Sequence, residues 1–129
     1  MAKAPIWQWG AVEAARAIKS GKVSSEEVVK ASIDRMKAVN PKLNAVVIDL
    51  SKDALKAAKA ADKALAKGEA VGPLHGVPVT IKINLDVRGQ ANSNGVVAFK
   101  DNIAPDDSAV TANLRKAGAV IVGLTNTPE

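Results

Sequence analysis

Side chains able to move a proton or attack a carbonyl are few in this chain of 129 residues. There is no cysteine, which removes thiol nucleophiles, disulfides and Cys-based metal sites. The single histidine, His75, lies between Gly72-Pro73 and Gly76-Val77-Pro78, the setting of a turn residue; a general base is the alternative reading. Asp101, Asp106 and Asp107 carry the charge a cation would need. Asp106, Asp107 and Ser108 also suit a helix start, by capping and by charge against the helix dipole. The segment Gly89 to Gly95 lacks the lysine and the spacing of a phosphate-binding loop. Ser20, Ser24, Ser25, Ser32, Ser51, Ser93 and Ser108 stand in helical, turn or capping contexts. That leaves Lys82, flanked by Thr80 and Asn84 on the polar side of an alternating stretch. A lysine becomes a base only when its neutral form is favoured, as burial favours it. By residue type alone, Lys82 reads as a solvated side chain.

The elements that must position these groups are legible from periodicity. Val77, Val79, Ile81, Ile83 and Leu85 point one way and Pro78, Thr80, Lys82, Asn84 and Asp86 the other, which predicts a strand with one buried face. Three helices precede it. Residues 10–20 carry Val12, Ala15 and Ile18 at helical spacing, with Gly21 as a stop. Residues 25–39 open with Ser24 and Glu27 at capping-box spacing and close at Asn40-Pro41; Val29, Ile33, Met36 and Asn40 share a face. Residues 52–67 place Leu55, Ala58, Ala61 and Leu65 inward and end at Gly68. Residues 45–48 read as a short strand. Residues 88–107 read as a long loop with a short strand or turn at Val96–Phe99. A helix with Val110, Leu114 and Ala117 along its apolar stripe follows. Ala119–Val122 is an apolar run of interior-strand type, wanting a neighbour on each side. The expected class is α/β: N-terminal helices over residues 1–71, then the start of a mixed-sheet core over residues 72–129, the two forming a single partial domain.

Composition narrows the function classes. Hydrophobic residues at 47% and charged residues at 24% describe a globular protein. No apolar run approaches the length of a membrane span and the N-terminus lacks a signal core, so a soluble cytoplasmic protein is expected, without a membrane partner. The net charge of +5 is carried by the first half: residues 1–68 hold 13 basic and 7 acidic side chains. Lys52, Lys56, Lys59, Lys63 and Lys67 make a stripe on one helix face. An anion-binding surface is one reading of the stripe; a solvated face is the plainer one, since no aromatic interleaving or nucleic-acid motif accompanies it. No nucleic-acid partner is expected.

Two blocks carry a family resemblance. Gly76-Val77-Pro78-Val79-Thr80-Ile81-Lys82 resembles the segment bearing the catalytic lysine of amidase-signature enzymes. Ala117-Gly118-Ala119-Val120-Ile121-Val122-Gly123, followed by Thr125-Asn126-Thr127-Pro128-Glu129, resembles a second stretch of the same family. The leader Val23–Val47 is similar to its N-terminal helices, so the likeness runs over residues 6–129. The resemblance implies a Ser-Ser-Lys hydrolase of carboxamide C–N bonds, working without metal or organic cofactor on a small-molecule amide. Lys82 would be its base, with Asn84 and Thr125 as polar supports. The sequence departs from the family pattern at Ile83, where aspartate is common, and at Leu124, where a cation often stands. It contains no Gly/Ser-rich nucleophile segment. The chain is therefore expected to be the N-terminal part of such an enzyme, inactive alone and partnered by the missing C-terminal part. A non-catalytic module that associates with another copy of itself is the alternative, motivated by its underfilled strands.

Overall fold

The computed structural model describes residues 4–128. A three-residue 3-10 turn, Ile6–Gln8, leads into helix α1 (Ala11–Lys19) and helix α2 (Ser25–Leu43). Strand β1 (Val46–Asp49), helix α3 (Ser51–Ala66) and strand β2 (Pro78–Lys82) follow. A 3-10 turn at Val97–Phe99, helix α4 (Ala109–Lys116) and strand β3 (Val120–Thr125) complete the order. The strands form one mixed sheet in the order β1-β3-β2, with β3 antiparallel to β1 and parallel to β2. The class is α/β, and β3 is the interior strand with two neighbours that its apolar run predicts. Its second neighbour comes from the helical half of the chain, because β1 crosses over to pair Val46 with Thr125.

Two apolar layers sandwich β3. Val120 and Val122 pack with Val29, Ile33, Ala54 and Ala58 of α2 and α3. Ile121 and Leu124 pack on the other face with Ile81, Ile83, Val87 and Leu114. Alternation alone would send residues 122 and 124 to the same face. The register with β2 shifts opposite the Val79–Thr80 step, where β3 advances two residues from Ile121 to Gly123, and this resets the parity. Gly123 sits at that irregularity for want of space. A Cβ there would stand 2.6 Å from Val46 Cγ1 and 2.9 Å from the Ile48 carbonyl oxygen. A third cluster joins Ala14, Ala17 and Ile18 of α1 to Val23, Val28 and Val77.

Local chemistry accounts for the helix ends. Ser24 and Glu27 form the expected capping box on α2. The predicted stop at Asn40-Pro41 comes too early, since α2 runs to Leu43. The Asn44 N–H still reaches the Asn40 carbonyl (2.7 Å), and Asn44 itself ends the helix in the left-handed region at φ 49°. Asn40 then grips Val46 through both its amide nitrogen (2.9 Å) and its amide oxygen (2.8 Å), fixing the corner into β1. Asp49 caps α3 from outside, accepting from the Ser51 N–H (2.8 Å) and from the Ser51 hydroxyl.

Two inward assignments change. Val12 is exposed at 62%, and α1 buries Ala14 and Ala17 beside the expected Ile18. Val110 is exposed, while Thr111 is fully buried; its hydroxyl meets Ser108 Oγ at 3.0 Å, so the polar residue is tolerated inside. In α3 the inward face holds: Ala58 is buried together with Ala54, and the half-buried Leu55 and Leu65 pack against the core. Burial alternates as expected from Thr80 to Leu85, whereas Pro78 and Val79 are both half-buried; β2 ends at Lys82 and Ile83-Asn84 form a turn.

Candidate active site

The two motif blocks of the sequence are adjacent parallel strands, and each begins in a loop locked to the other. The Leu74 N–H donates to the Ala117 carbonyl (2.9 Å), Gly76 N–H to Gly118 (2.9 Å), and Val120 N–H to Val77 (2.8 Å). Gly118 adopts φ +93°, and a Cβ on it would lie 2.7 Å from His75 Cα. Ser25 at the start of α2 is buried and donates its hydroxyl to the Gly76 carbonyl at 2.7 Å. This end of the strand pair is closed by backbone contacts.

The other end is open. Lys82 and Thr125 are register partners at the carboxyl ends of β2 and β3. The Ile83 N–H donates to the Thr125 carbonyl (2.9 Å) and the Leu85 N–H to that of Lys82 (2.9 Å). That tight turn sets Asn84 two residues beyond Lys82. The fold thus brings Lys82, Asn84 and Thr125 to one strand end, over a buried floor of Ile81, Ile83 and Leu124. Lys82 and Asn84 are exposed and Thr125 is half-buried. Among the described residues, no hydrogen bond or ion pair engages these three side chains. In open α/β sheets this end of parallel strands is where ligands bind.

A hairpin flanks this end. Gly89 N–H donates to the Ala104 carbonyl, Ala104 N–H to Gln90, and Asn92 N–H to Asn102, each at 2.9 Å. Residues 88–107 are thus the predicted loop, folded on itself through these bonds and the Ala91–Ile103 bridge, with Val97–Phe99 a 3-10 turn at the tip. The Asn92 amide donates to Asp86 Oδ1 at 2.6 Å, tying the hairpin to the chain leaving β2. Sequence reasoning missed the pairing within this loop. The signal was the Asn94-Gly95 dipeptide, a turn-former whose two residues take φ +48° and +76°.

The remaining candidates have structural employment. His75 Nε2 lies 2.8 Å from the Ala61 carbonyl oxygen; a carbonyl only accepts, so this nitrogen carries the proton and pins the loop to α3. Asp106 pairs with Arg88 at 3.4 Å. Asp107 accepts from the Arg88 N–H and from Arg115 Nε, both at 2.8 Å. Burial raises the Asp107 pKa, but these bonds and the two arginine charges outweigh it and hold the carboxyl below its ordinary value. Asp101 is exposed. No group of three or more His, Asp or Glu side chains is arranged to hold a metal among the described residues. The lysine stripe of α3 is exposed, with Lys56 facing Asp53 at 4.0 Å and Lys59 facing Glu26 at 3.4 Å. No described helix is long and apolar enough to cross a membrane.

The chain is similar to known proteins in sequence and in fold. The chain is 64% identical over 127 residues to an indoleacetamide hydrolase of Bradyrhizobium diazoefficiens, covering 98% of itself and 24% of that protein. It is 40% identical over 119 residues to an acylamidase of Rhodococcus erythropolis, covering 92% of itself and 25% of that protein. A solved fatty acid amide hydrolase superposes with TM-score 0.90 at 31% identity, covering 95% of this chain and 22% of that one. A bacterial aryl acylamidase of the amidase-signature family superposes with TM-score 0.86 at 30% identity, over 97% and 26%. The chain spans about a quarter of the length of these relatives. With residues 27–129 matching the family model described as Amidase, both motif blocks and the strand pair they build are accounted for by one ancestry, and the chain belongs to the amidase-signature family.

Proposed function

We propose that this chain carries the lysine arm of an amide hydrolase whose serines come from polypeptide outside these residues, in a cytoplasmic enzyme. The observation that supports it is the open strand end, where Lys82 stands beside Thr125 with no described group neutralising it. A serine hydroxyl attacks an amide poorly until a base takes its proton. In this reading a second serine passes that proton to Lys82. Further chain packed over the exposed end would strip water from the lysine and favour its neutral, accepting form. The proton then returns through the second serine to the departing amine, and water releases the acid from the acyl-enzyme. Asn84 and Thr125, whose side chains are unengaged among the described residues, are the polar groups at hand to orient the lysine once that further chain packs on it. The reaction needs no metal or organic cofactor, and the 129-residue chain alone does not hydrolyse amides. The likeness to an indoleacetamide hydrolase supports an arylacetamide as the substrate.

The test is ammonia release from indole-3-acetamide by the full-length enzyme. Lys82→Ala should lower kcat by about a thousandfold, the scale of losing a general base. A loss of less than about threefold would remove Lys82 from the mechanism.

The bare outer edge of β2 favours a second reading, in which the 129-residue chain pairs with another copy of itself or with its missing C-terminal part. Sedimentation of the isolated chain across a hundredfold range of concentration, about 1 to 100 µM, separates these: a constant monomer mass excludes self-association.

A further inference from the structure

The hairpin beside the open strand end reaches the chain beyond β3. Gly95 lies so close to Thr127 that a Cβ on it would stand 2.7 Å from the Thr127 carbonyl oxygen and 3.2 Å from Thr127 Cγ2. Thr127 is two residues past Thr125, the register partner of Lys82. The arm Asn92–Gly95 therefore borders the strand end that holds Lys82, Asn84 and Thr125. One residue governs where that arm sits. Asn92 donates its side-chain amide to Asp86 Oδ1 (2.6 Å) and its N–H to the Asn102 carbonyl (2.9 Å), and its own carbonyl accepts from the Asn102 amide (3.1 Å). Asp86 in turn accepts the Ser108 N–H on its carbonyl (2.9 Å), at the cap of α4. Asn92 thus joins the exit of β2, both sides of the hairpin and, through Asp86, the start of α4.

We propose that the Asn92–Gly95 arm is a wall of the amide-binding cleft, and that Asn92 is the positioning residue that sets the room left for the acyl group. The inference rests on the reading of Lys82 given above. It goes beyond it by assigning substrate fit to a segment that makes no hydrogen bond to the lysine. A wall held by two or three hydrogen bonds shifts when one is lost, and a misplacement of about 1 Å costs reactivity by up to a hundredfold.

The test compares two substrates, indole-3-acetamide and acetamide, on the full-length enzyme. Asn92→Ala should raise KM for indole-3-acetamide by about tenfold and change kcat by less than twofold, while KM for acetamide moves by less than about threefold. The pH dependence of kcat should stay unchanged, because the group accepting the proton is untouched. Asp86→Asn keeps an acceptor for the Asn92 amide and should retain the parental KM, the rescue that a merely electrostatic role would not show. Asn102→Ala, which breaks the exposed 3.1 Å bond alone, is the variant to read if Asn92→Ala does not fold; it should shift KM in the same direction by about threefold. Parental KM values for both substrates in Asn92→Ala, or in Asn102→Ala where it substitutes, overturn the wall. So do equal losses on the two substrates. Activity retained by Lys82→Ala would sink the lysine reading instead, so the two failures are distinct.

Discussion

The two ends of the β2–β3 strand pair are built on opposite principles. At the amino ends the backbones interlock. Leu74, Gly76 and Val120 donate across, Ser25 braces the loop from α2, and Gly118 admits a neighbour where a side chain would not fit. At the carboxyl ends the polar side chains of Lys82, Asn84 and Thr125 engage no described partner. Rigidity at one end leaves the other free to carry groups chosen for chemistry rather than for stability. Such a division makes opposite demands on mutation: the open end should govern activity alone, and the closed end stability first.

The largest contrast should come from Lys82. If its role is the proposed one, Lys82→Met in the full-length enzyme lowers kcat by about a thousandfold, equivalent to about 4 kcal/mol of barrier. Stability should move by less than about 0.5 kcal/mol, as for other exposed positions. A comparable fall in the urea midpoint would mean that the open end is structural after all. At the closed end, Gly118→Ala should cost about 3 kcal/mol, from a forced positive φ and a contact with backbone that cannot withdraw. Urea unfolding reads this directly, and a loss below about 1 kcal/mol would show that the loop yields and the closed end is not rigid. Ser25→Ala should cost about 1–3 kcal/mol by leaving the Gly76 carbonyl without its buried donor. An unchanged midpoint there would mean another donor replaces the hydroxyl.

The same contrast explains what the sequence disclosed. Helix positions were legible because the Ser24–Glu27 box and the apolar spacing of α2 are local signals. The helix faces were less so. Val12 and Val110 fit a stripe on paper, but tertiary packing selected Ala14, Ala17 and Thr111, small residues that let helices approach closely. The end of α2 was misplaced because the proline rule competes with a left-handed Asn44, whose cap depends on a bond to Asn40. β1 was legible as a strand, but its place beside β3 was not, since no local pattern encodes a pairing of Val46 with Thr125. The polar face of β2 marked Lys82 as exposed without singling it out. Only the likeness of two blocks to a family did that, and the structure explains why they travel together: they are two halves of one interlocked strand pair. Asn92 left no such trace, because its partners Asp86 and Asn102 lie six and ten residues away in a segment without periodicity.

The smallest expected effect concerns acid, and it tests whether the scaffold away from both strand ends is an independent source of stability. Hydrogen bonds from the Ser24 N–H and hydroxyl hold Glu27 below its ordinary 4.5, and the Ser51 hydroxyl and N–H hold Asp49 below 3.8. Asp107 is also held low, its burial outweighed by Arg88 and Arg115. A carboxyl with a lowered pKa in the folded state binds its proton at higher pH when unfolded. Between the two values the unfolded chain carries more protons, so stability falls as pH falls. The contribution should be complete above about pH 5 and be lost progressively below about pH 4. Asp49→Asn separates this from general acid denaturation. The amide oxygen still accepts from Ser51, so stability at pH 7 should change little, but one titrating group is gone and the acid limb of the urea midpoint should be shallower. An acid limb of unchanged slope would mean that the Asp49–Ser51 contact at the start of α3 contributes nothing that protonation can remove.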